Sequence, residues 1–409
     1  MPAKDYHIPD VLIIITQQRS LQTVMKIGEF SDSFLPVVDG VGRVAYSYCD
    51  HIARKGHECS AIVPLTKMGY RGQYPFEIID YYSKSMPGMP QYKFGAPVID
   101  EHYQQLLSMT EFDIVHIHTP FIAGQEGIRY ARKHDIPLVG TFHSKYYDDF
   151  YQISGSRILA GLSTDVMMAE FFNKCDEVWT LTENSARTLK AYGCTKNIFI
   201  LPNGMDVHSV SEETKDNAVR KFGLRRDVPV FLYVGQQNWK KGIGQILEAC
   251  EELKKTGTGF QLVLAGQGPH EEEIHRRAEE LGLSEDTVFT GHILNTELLD
   301  GLYGAASLFV FPSDYDTYAM VVREAANAGT ASVCLKNSAA AEDIVDGENG
   351  WLCGSEAHDL CEVMKRAVEN PERLKEVGIN AMHTLPQSWD SIIDRALERY
   401  QILIDMKRM

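Results

Sequence analysis

The sequence predicts two doubly wound α/β domains, each built on a parallel sheet and facing the other across a central cleft. Three observations predict it. The chain has 409 residues, more than one hydrophobic core normally serves and suited to two units of roughly 150–200 residues. Short β-rich apolar runs alternate with amphipathic helical stretches, the pattern of parallel βαβ units. That alternation then starts afresh at Val228 after a polar, glycine-bearing segment, Asn203 to Ser209, the natural place for a hinge.

In the first unit, Lys26 to Phe30 reads as a strand, Ser31 to Asp39 as a loop, and Val41 to Lys55 as a helix. Val41, Val44, Ala45, Tyr48, Cys49, Ile52 and Ala53 keep to one face of that helix, and Gly56 is its expected C-cap. Further strands are expected at Glu58 to Val63, Asp113 to His118, Pro137 to Phe142, Glu177 to Leu181 and Ile198 to Leu201. The second unit is expected to place strands at Val228 to Val234, Gln261 to Ala265, Val288 to Thr290, Leu308 to Phe311, Ala331 to Leu335 and Gly350 to Leu352. The resulting division is an N-terminal extension at 1–24, a first domain at 25–205 and a second at 206–387, with a terminal helix at 388–409 packing back on the first. Residues 1–24 fit neither unit.

Composition removes several classes of function. Hydrophobic residues make up 44% and charged residues 23%, the balance of a folded globular chain. The net charge is −16, and residues 1–205 hold 19 Lys and Arg against 22 Asp and Glu, leaving 21 against 34 in the remainder. A nucleic-acid binder needs a basic stripe to displace counterions, so nucleic acid is not an expected partner. The eight cysteines are scattered without a C-x-x-C pair or zinc spacing, and read as reduced core residues of a cytosolic protein. The apolar run Val11 to Ile15 is far below the roughly 20 residues of a membrane span.

Ligands of open α/β sheets bind beyond the carboxyl ends of the strands, and the residues there carry chemistry. Asp39-Gly40-Val41-Gly42-Arg43 opens a helix, where free backbone N–H groups suit a phosphate, although a plain strand-to-helix turn fits equally. His116 and His118 leave one face of a strand and His143 ends the next; His116 reads as a hydrogen-bonded core residue and His118 as functional. Lys240 and Lys241 follow the first strand of the second unit, where they suit a diphosphate. Gly266-Gln267-Gly268-Pro269 and Gly291-His292-Ile293 close the next two strands. Asp316 then stands before a helix, with Glu324 eight residues on, about two turns up.

In these residues the chain resembles the retaining glycosyltransferases of family 4, which have the GT-B fold of two Rossmann-like domains. The motifs run in that family's order over Met25 to about Ile404: KIGEFSDSFLPVVDGVGR, HIHTPF, GTFHS, LPNGMD, VGQQNWKKG, LAGQGP, the paired-acid segment and DGENGWL. The resemblance implies that Gly40 and Lys241 hold a donor diphosphate, joined by Gln236 and Gly268, and that Glu324 binds the ribose. It implies that Asp316 and the backbone of Tyr318, Ala319 and Met320 meet the transferred sugar, and that backbone near Ile293 takes the base. His118 is implied beside the reacting centre, with Asp316, His118 and Lys241 as the catalytic set. His143, Lys145 and Tyr146 are the acceptor-side candidates.

The donor implied is a nucleotide sugar, UDP-linked in the first place and otherwise GDP- or ADP-linked, with no cofactor and no metal. The acceptor is a lipid or a glycan, which allows peripheral contact with the inner face of the membrane. The aromatic stretch Tyr146 to Tyr151 and the apolar Ile158 to Leu162 offer an apolar docking face, against the stronger reading that both pack internally or line the acceptor cleft.

Three positions depart from the family's pattern. Asp316 stands where Glu is usual, Ala319 where Gly is usual, and Gln236 where an Arg faces the diphosphate. Gln236 supplies only neutral hydrogen bonds, which shifts donor affinity onto Lys241 with help from Lys240 or Arg43. Competing readings are a metal-binding D-x-D at Asp314 and Asp316, a catalytically silent GT-B protein serving as a binding module, and a sugar phosphorylase or epimerase of the same fold.

Overall fold

The computed structural model describes residues 23–35, 40–66, 69, 72–86, 89–143 and 157–409, with the side chains of 85–94 and 157–164 outside that description. Of the extension expected at 1–24, residues 1–22 lie outside the described residues, while Thr23 and Val24 form an exposed approach to the first strand.

The first unit runs β1 (Lys26–Phe30), α1 (Gly40–Arg54), β2 (Glu58–Pro64), β3 (Glu77–Tyr81), the hairpin β4 (Ser83–Met86) and β5 (Met89–Gly95), α2 (Glu101–Met109), β6 (Ile114–Ile117), α3 (Ile122–His134), β7 (Leu138–Phe142), α4 (Arg157–Phe172), β8 (Glu177–Thr180), α5 (Glu183–Ala191) and β9 (Ile198–Ile200). The second runs α6 (Glu212–Phe222), β10 (Val230–Val234), α7 (Ile243–Lys255), β11 (Gln261–Ala265), α8 (Glu271–Glu280), β12 (Thr287–Gly291), α9 (Thr296–Ala305), β13 (Leu308–Phe311), α10 (Met320–Asn327), β14 (Ser332–Leu335), β15 (Trp351–Cys353), α11 (Ala357–Glu369), α12 (Pro371–Thr384) and α13 (Trp389–Arg408).

Two parallel sheets result, ordered β3-β2-β1-β6-β7-β8-β9 and β12-β11-β10-β13-β14-β15. Each reverses its winding once, between β1 and β6 and between β10 and β13, and the crevice at such a reversal is where this architecture binds ligands. This is the GT-B arrangement of two Rossmann-like units. Relative to the sequence reading, β3 and the hairpin are additional; β3 lies at the sheet edge and is only partly buried, so its EIIDY sequence lacks a continuous apolar run.

Alternation along the strands divides the core of the first sheet. Ile27, Ile114, Val139 and Trp179 face a cluster made with α1 and α13, whereas Phe30, Val115, Ile117 and Val178 face a cluster made with α2, α3 and α4. Trp389, Ile392, Ile393, Ala396, Leu397, Tyr400, Leu403 and Ile404 of α13 are all buried in the first cluster, so the end of the chain supplies a layer of the unit made by its beginning. Ser388 caps α13 by accepting from the Ser391 N–H, and Arg399 pairs with Glu177 of β8. No helix among the described residues is long and apolar enough to cross a membrane.

Candidate functional site

The carboxyl ends of β10 and β13 bring Lys241 and Asp316 together. Asn238 starts a 3-10 turn, Trp239–Lys241, by accepting from the Lys240 N–H, and Gly242 ends it with φ 78°. That left-handed backbone matters because a Cβ on Gly242 would lie 2.6 Å from the Pro312 carbonyl oxygen of the loop after β13. The two loops are thus pressed together. Lys241 Nζ reaches Asp316 Oδ1 at 2.6 Å, with the side chains 15% and 22% exposed, and Ser313 Oγ donates to Asp316 Oδ2 at 2.6 Å. Lys241 Nζ also lies 5.0 Å from the centre of the Tyr315 ring. Gly242→Ala is accordingly expected to cost about 2–4 kcal/mol through strain and overlap, read as a fall in melting temperature.

The loop from Asp314 to Ala319 is not helical, and α10 begins only at Met320. Glu324 therefore sits one turn into α10 rather than two, because those residues are engaged in contacts across the cleft. Tyr318 and Ala319 are buried at the start of α10 and Met320 is half-buried. Glu324 accepts from the Tyr303 hydroxyl at 2.8 Å. Burial pushes its carboxyl above the ordinary value, a rise that the Tyr303 hydrogen bond and Arg43 of the first unit oppose. Arg323, buried one residue earlier, lies 4.2 Å from the Tyr318 ring centre and pairs with Asp343.

The other residues expected on the donor side follow strand ends of the second unit or, for Gly40, open the first helix of the first unit. Gly40 is the first residue of α1, exposed, and a Cβ there would meet nothing within 4 Å. Gln236 is exposed, and its carbonyl accepts from Tyr233 Oη at 2.9 Å. Gly268 serves loop packing, since a Cβ would fall 2.5 Å from the Gln237 carbonyl oxygen. Ile293 is half-buried against the second core. An open cavity bordered by Trp239, Gly268, Pro269 and α8 lies beside Gly268, and the five glutamates of its lining outnumber Arg276 and Arg277 there, a net charge of the wrong sign for a diphosphate. Asp314 is exposed, and neither it nor Asp316 belongs to a metal-suited group among the described residues.

The loop bearing Asp316 is also bound to the first unit. Thr317 Oγ1 donates to the His143 carbonyl at 2.6 Å, while Thr182 Oγ1 and Ser185 Oγ donate to the Thr317 carbonyl at 3.3 and 3.4 Å. Tyr318 Oη donates to the Asn203 carbonyl at 3.2 Å. Glu342 accepts from the Glu183 and Asn184 N–H groups, so a carboxylate of one unit caps α5 of the other. Sequence reasoning missed Thr317 and Glu342, whose partners lie more than 130 positions away.

At the carboxyl ends of β1 and β6, His118 is fully buried rather than lining an open cleft. Its Nε2 lies 2.7 Å from Glu29 Oε2, and its Nδ1 lies 3.1 Å from His143 Nε2. His116 touches Tyr400 Oη at 2.5 Å and Thr141 Oγ1 at 2.7 Å, the core role expected of it. Glu29 and His116 are register partners on β1 and β6, which explains why the carboxylate reaches both histidines. Burial alone would raise the Glu29 carboxyl, but His116 and His118 hold it down to about 2. Burial lowers His116 to about 4 and His143 well below the usual imidazole value. Glu29 escaped sequence reasoning, although a glutamate inside an otherwise apolar central strand is itself a signal. Nearby, buried Asp32 accepts from Thr119 Oγ1 and the Ala123 N–H, and burial pushes its carboxyl up to about 6. Lys145 and Tyr146, with the stretch to Tyr151, lie outside the described residues, as do the side chains of Ile158 to Leu162.

Known proteins share both halves of this arrangement. The model for "Glycosyltransferase Family 4" matches residues 38–209, and that for "Glycosyl transferases group 1" matches 214–384. An alpha-monoglucosyldiacylglycerol synthase of Acholeplasma laidlawii is 24% identical over 93% of this chain and 98% of its own. A GDP-mannose-dependent alpha-mannosyltransferase of Corynebacterium glutamicum is 24% identical over 94% of this chain and 90% of its own. Among solved structures, Anabaena Alr3699/HepE in complex with UDP superposes with a TM-score of 0.74 at 16% identity, over 92% of this chain and all of that one. A sucrose-phosphate synthase from Thermosynechococcus elongatus superposes with a TM-score of 0.77 at 17% identity, covering 93% of this chain and all of that one.

Proposed function

The chain belongs to the glycosyltransferases of family 4, and from that premise we propose that it transfers a hexose from a nucleoside diphosphate sugar to a hydroxyl group of a lipid or glycan, without a metal and with retention at the anomeric carbon. The observation that carries the reading is the Lys241–Asp316 pair, set at a winding reversal and followed by the free N–H groups of α10. Lys241 supplies positive charge to the leaving diphosphate, with Gly40, Gln236 and Gly268 around it. Asp316 and the backbone of Tyr318, Ala319 and Met320 meet the sugar, Glu324 meets the ribose, and backbone near Ile293 meets the base. An oxocarbenium-like transition state gains from both ends of such a site, since the diphosphate accumulates negative charge and the sugar positive charge. His143, Lys145 and Tyr146 are the proposed acceptor-side residues, and His118, buried against His143, is the residue proposed nearest the reacting centre.

UDP-sugars are the first donors to test: one structural neighbour was solved with UDP, while one relative carries GDP-mannose in its name. A lipid acceptor is supported by the relative named for diacylglycerol and would bring the protein to a membrane surface as a peripheral enzyme. Screening UDP-, GDP- and ADP-sugars for slow uncoupled hydrolysis is expected to find one base strongly preferred, with activity persisting in chelator. An α-linked donor is expected to give an α-linked product, read from the anomeric NMR coupling. If calorimetry detects no binding of any nucleotide sugar, the reading fails in favour of a binding module.

A further inference from the structure

We infer that Glu342 is a positioning residue: it ties the second unit to the first turn of α5, so that the seat of Asp316 is set by a helix of the opposite unit. This rests on the sugar-transfer reading above. The argument begins at the start of α5, where the leading N–H groups have no acceptor within the helix. The Ser185 N–H is taken by the Thr182 hydroxyl. The Glu183 and Asn184 N–H groups are taken by the two carboxylate oxygens of Glu342, at 2.9 Å for Asn184. The helix thus receives from another unit the anion that its dipole favours.

The same turn of α5 holds a second loop. Thr182 Oγ1 and Ser185 Oγ lie 3.3 and 3.4 Å from the Thr317 carbonyl oxygen, and Thr317 Oγ1 donates to the His143 carbonyl at 2.6 Å. The hydroxyl and the carbonyl of the residue after Asp316 are therefore both engaged with the first unit. One helical turn seats the loop after β13 through hydroxyls and the loop after β14 through backbone N–H groups.

The chain around Glu342 holds it still relative to α10. Glu342 follows a 3-10 turn of buried alanines, Ala339–Ala341. Its neighbour Asp343 pairs with Arg323 of α10, which is 1% exposed and lies 4.2 Å from the Tyr318 ring centre. Asn349 fixes the same segment, donating to the Asp343 carbonyl at 3.2 Å and accepting from the Val345 N–H at 2.8 Å. Glu342 is carried on the same packed body as α10 and the loop before it. A bond from Glu342 to α5 therefore restrains Asp316 without touching it. Without the carboxylate, the Glu183 and Asn184 N–H groups turn to water, and Thr317 and Tyr318 are left to hold the loop alone. Lys241 and Glu324 keep their contacts within the second unit, so donor affinity is not what Glu342 sets.

Glu342→Ala, Thr317→Val and the double variant of the full chain test this by amide hydrogen exchange and by hydrolysis of UDP-glucose, or of the GDP- or ADP-sugar that the donor screen selects. Glu342→Ala is expected to speed exchange at the start of α5 and also across residues 314–320, which Glu342 does not touch. Turnover is expected to fall about tenfold, because a misplaced reacting group is costly even when every catalytic side chain remains. The donor Kd from calorimetry is expected to stay within about twofold. Glu342→Gln keeps one acceptor oxygen but turns an amide N–H group toward the other donor, and is expected to fall between the two. Thr317→Val removes one hydroxyl at nearly constant shape, and the double variant is expected to be no worse than the poorer single one, since both act on one loop. Faster exchange confined to α5 with normal turnover would reduce Glu342 to a helix cap and overturn the inference, as would losses that multiply in the double variant. Should Glu342→Ala fail to fold, Glu342→Gln and Thr317→Val decide by the same readouts. Coupled exchange in a protein that hydrolyses no nucleotide sugar would count against the functional reading; uncoupled exchange in one that does would count against Glu342 alone.

Discussion

Asp316→Ala is expected to lower turnover by about a hundredfold or more while leaving donor KM unchanged or reduced, and Lys241→Ala to lower kcat/KM by a similar factor through a raised KM. The two outcomes differ because the side chains are bonded to each other at 2.6 Å before any donor arrives. On the proposed reading a diphosphate draws Lys241 away from Asp316, so removing the carboxylate would free the lysine for the donor while stripping stabilisation from the sugar. Removing the lysine takes away the cation in a loop where Gln236 offers no charge. The pair is in contact, so the double variant is expected to be no worse than the poorer single one. Steady-state kinetics of donor hydrolysis decide it. Near-normal turnover in both single variants would dismiss this site.

The largest expected loss of stability comes from Tyr400→Ala. The ring stacks on Trp179 at 5.1 Å and 12°, fully buried between α13 and the first sheet, and the hydroxyl donates to Glu29 and meets His116. Deleting a buried aromatic ring costs about 3–5 kcal/mol, and a carboxylate left short of a donor adds to that. At about 2–4 °C per kcal/mol for a unit of this size, the melting midpoint of the first unit is expected to fall well clear of experimental error. Tyr400→Phe keeps the stack and loses the hydroxyl, and is expected to cost about 1–3 kcal/mol. A Tyr400→Ala protein melting at the same temperature as the unaltered one would contradict the packing described.

The sheets were legible because their central strands are continuous apolar runs, such as VFLYV at β10 and QLVLA at β11, bounded by glycines and helix caps. At β3 that signal fails, since an edge strand with acidic residues at and near its ends carries no such run. Lys241 and Asp316 were legible as strand-end residues, and their direct contact was not, because it depends on Gly242 seating one loop against Pro312. Glu324 was placed a turn too deep because nothing local marks Thr317 and Tyr318 as partners of His143 and Asn203. Glu29 was passed over inside a strand read only for its hydrophobic character, and its meaning depends on register with His116 and on a tyrosine 371 positions away.

The seating of α13 against β8 and α1 has a consequence for biosynthesis. About 190 residues separate β9 from the helix that seals the same core, on the order of ten to forty seconds of translation at roughly 5–20 residues per second. During that interval the nascent first half leaves the ribosome with the surface around Tyr48, Trp179 and the future seat of Ile393 uncovered. The later-made half is free to collapse first, which reverses the usual order of maturation and makes this interval the one in which a holdase chaperone has most to shield.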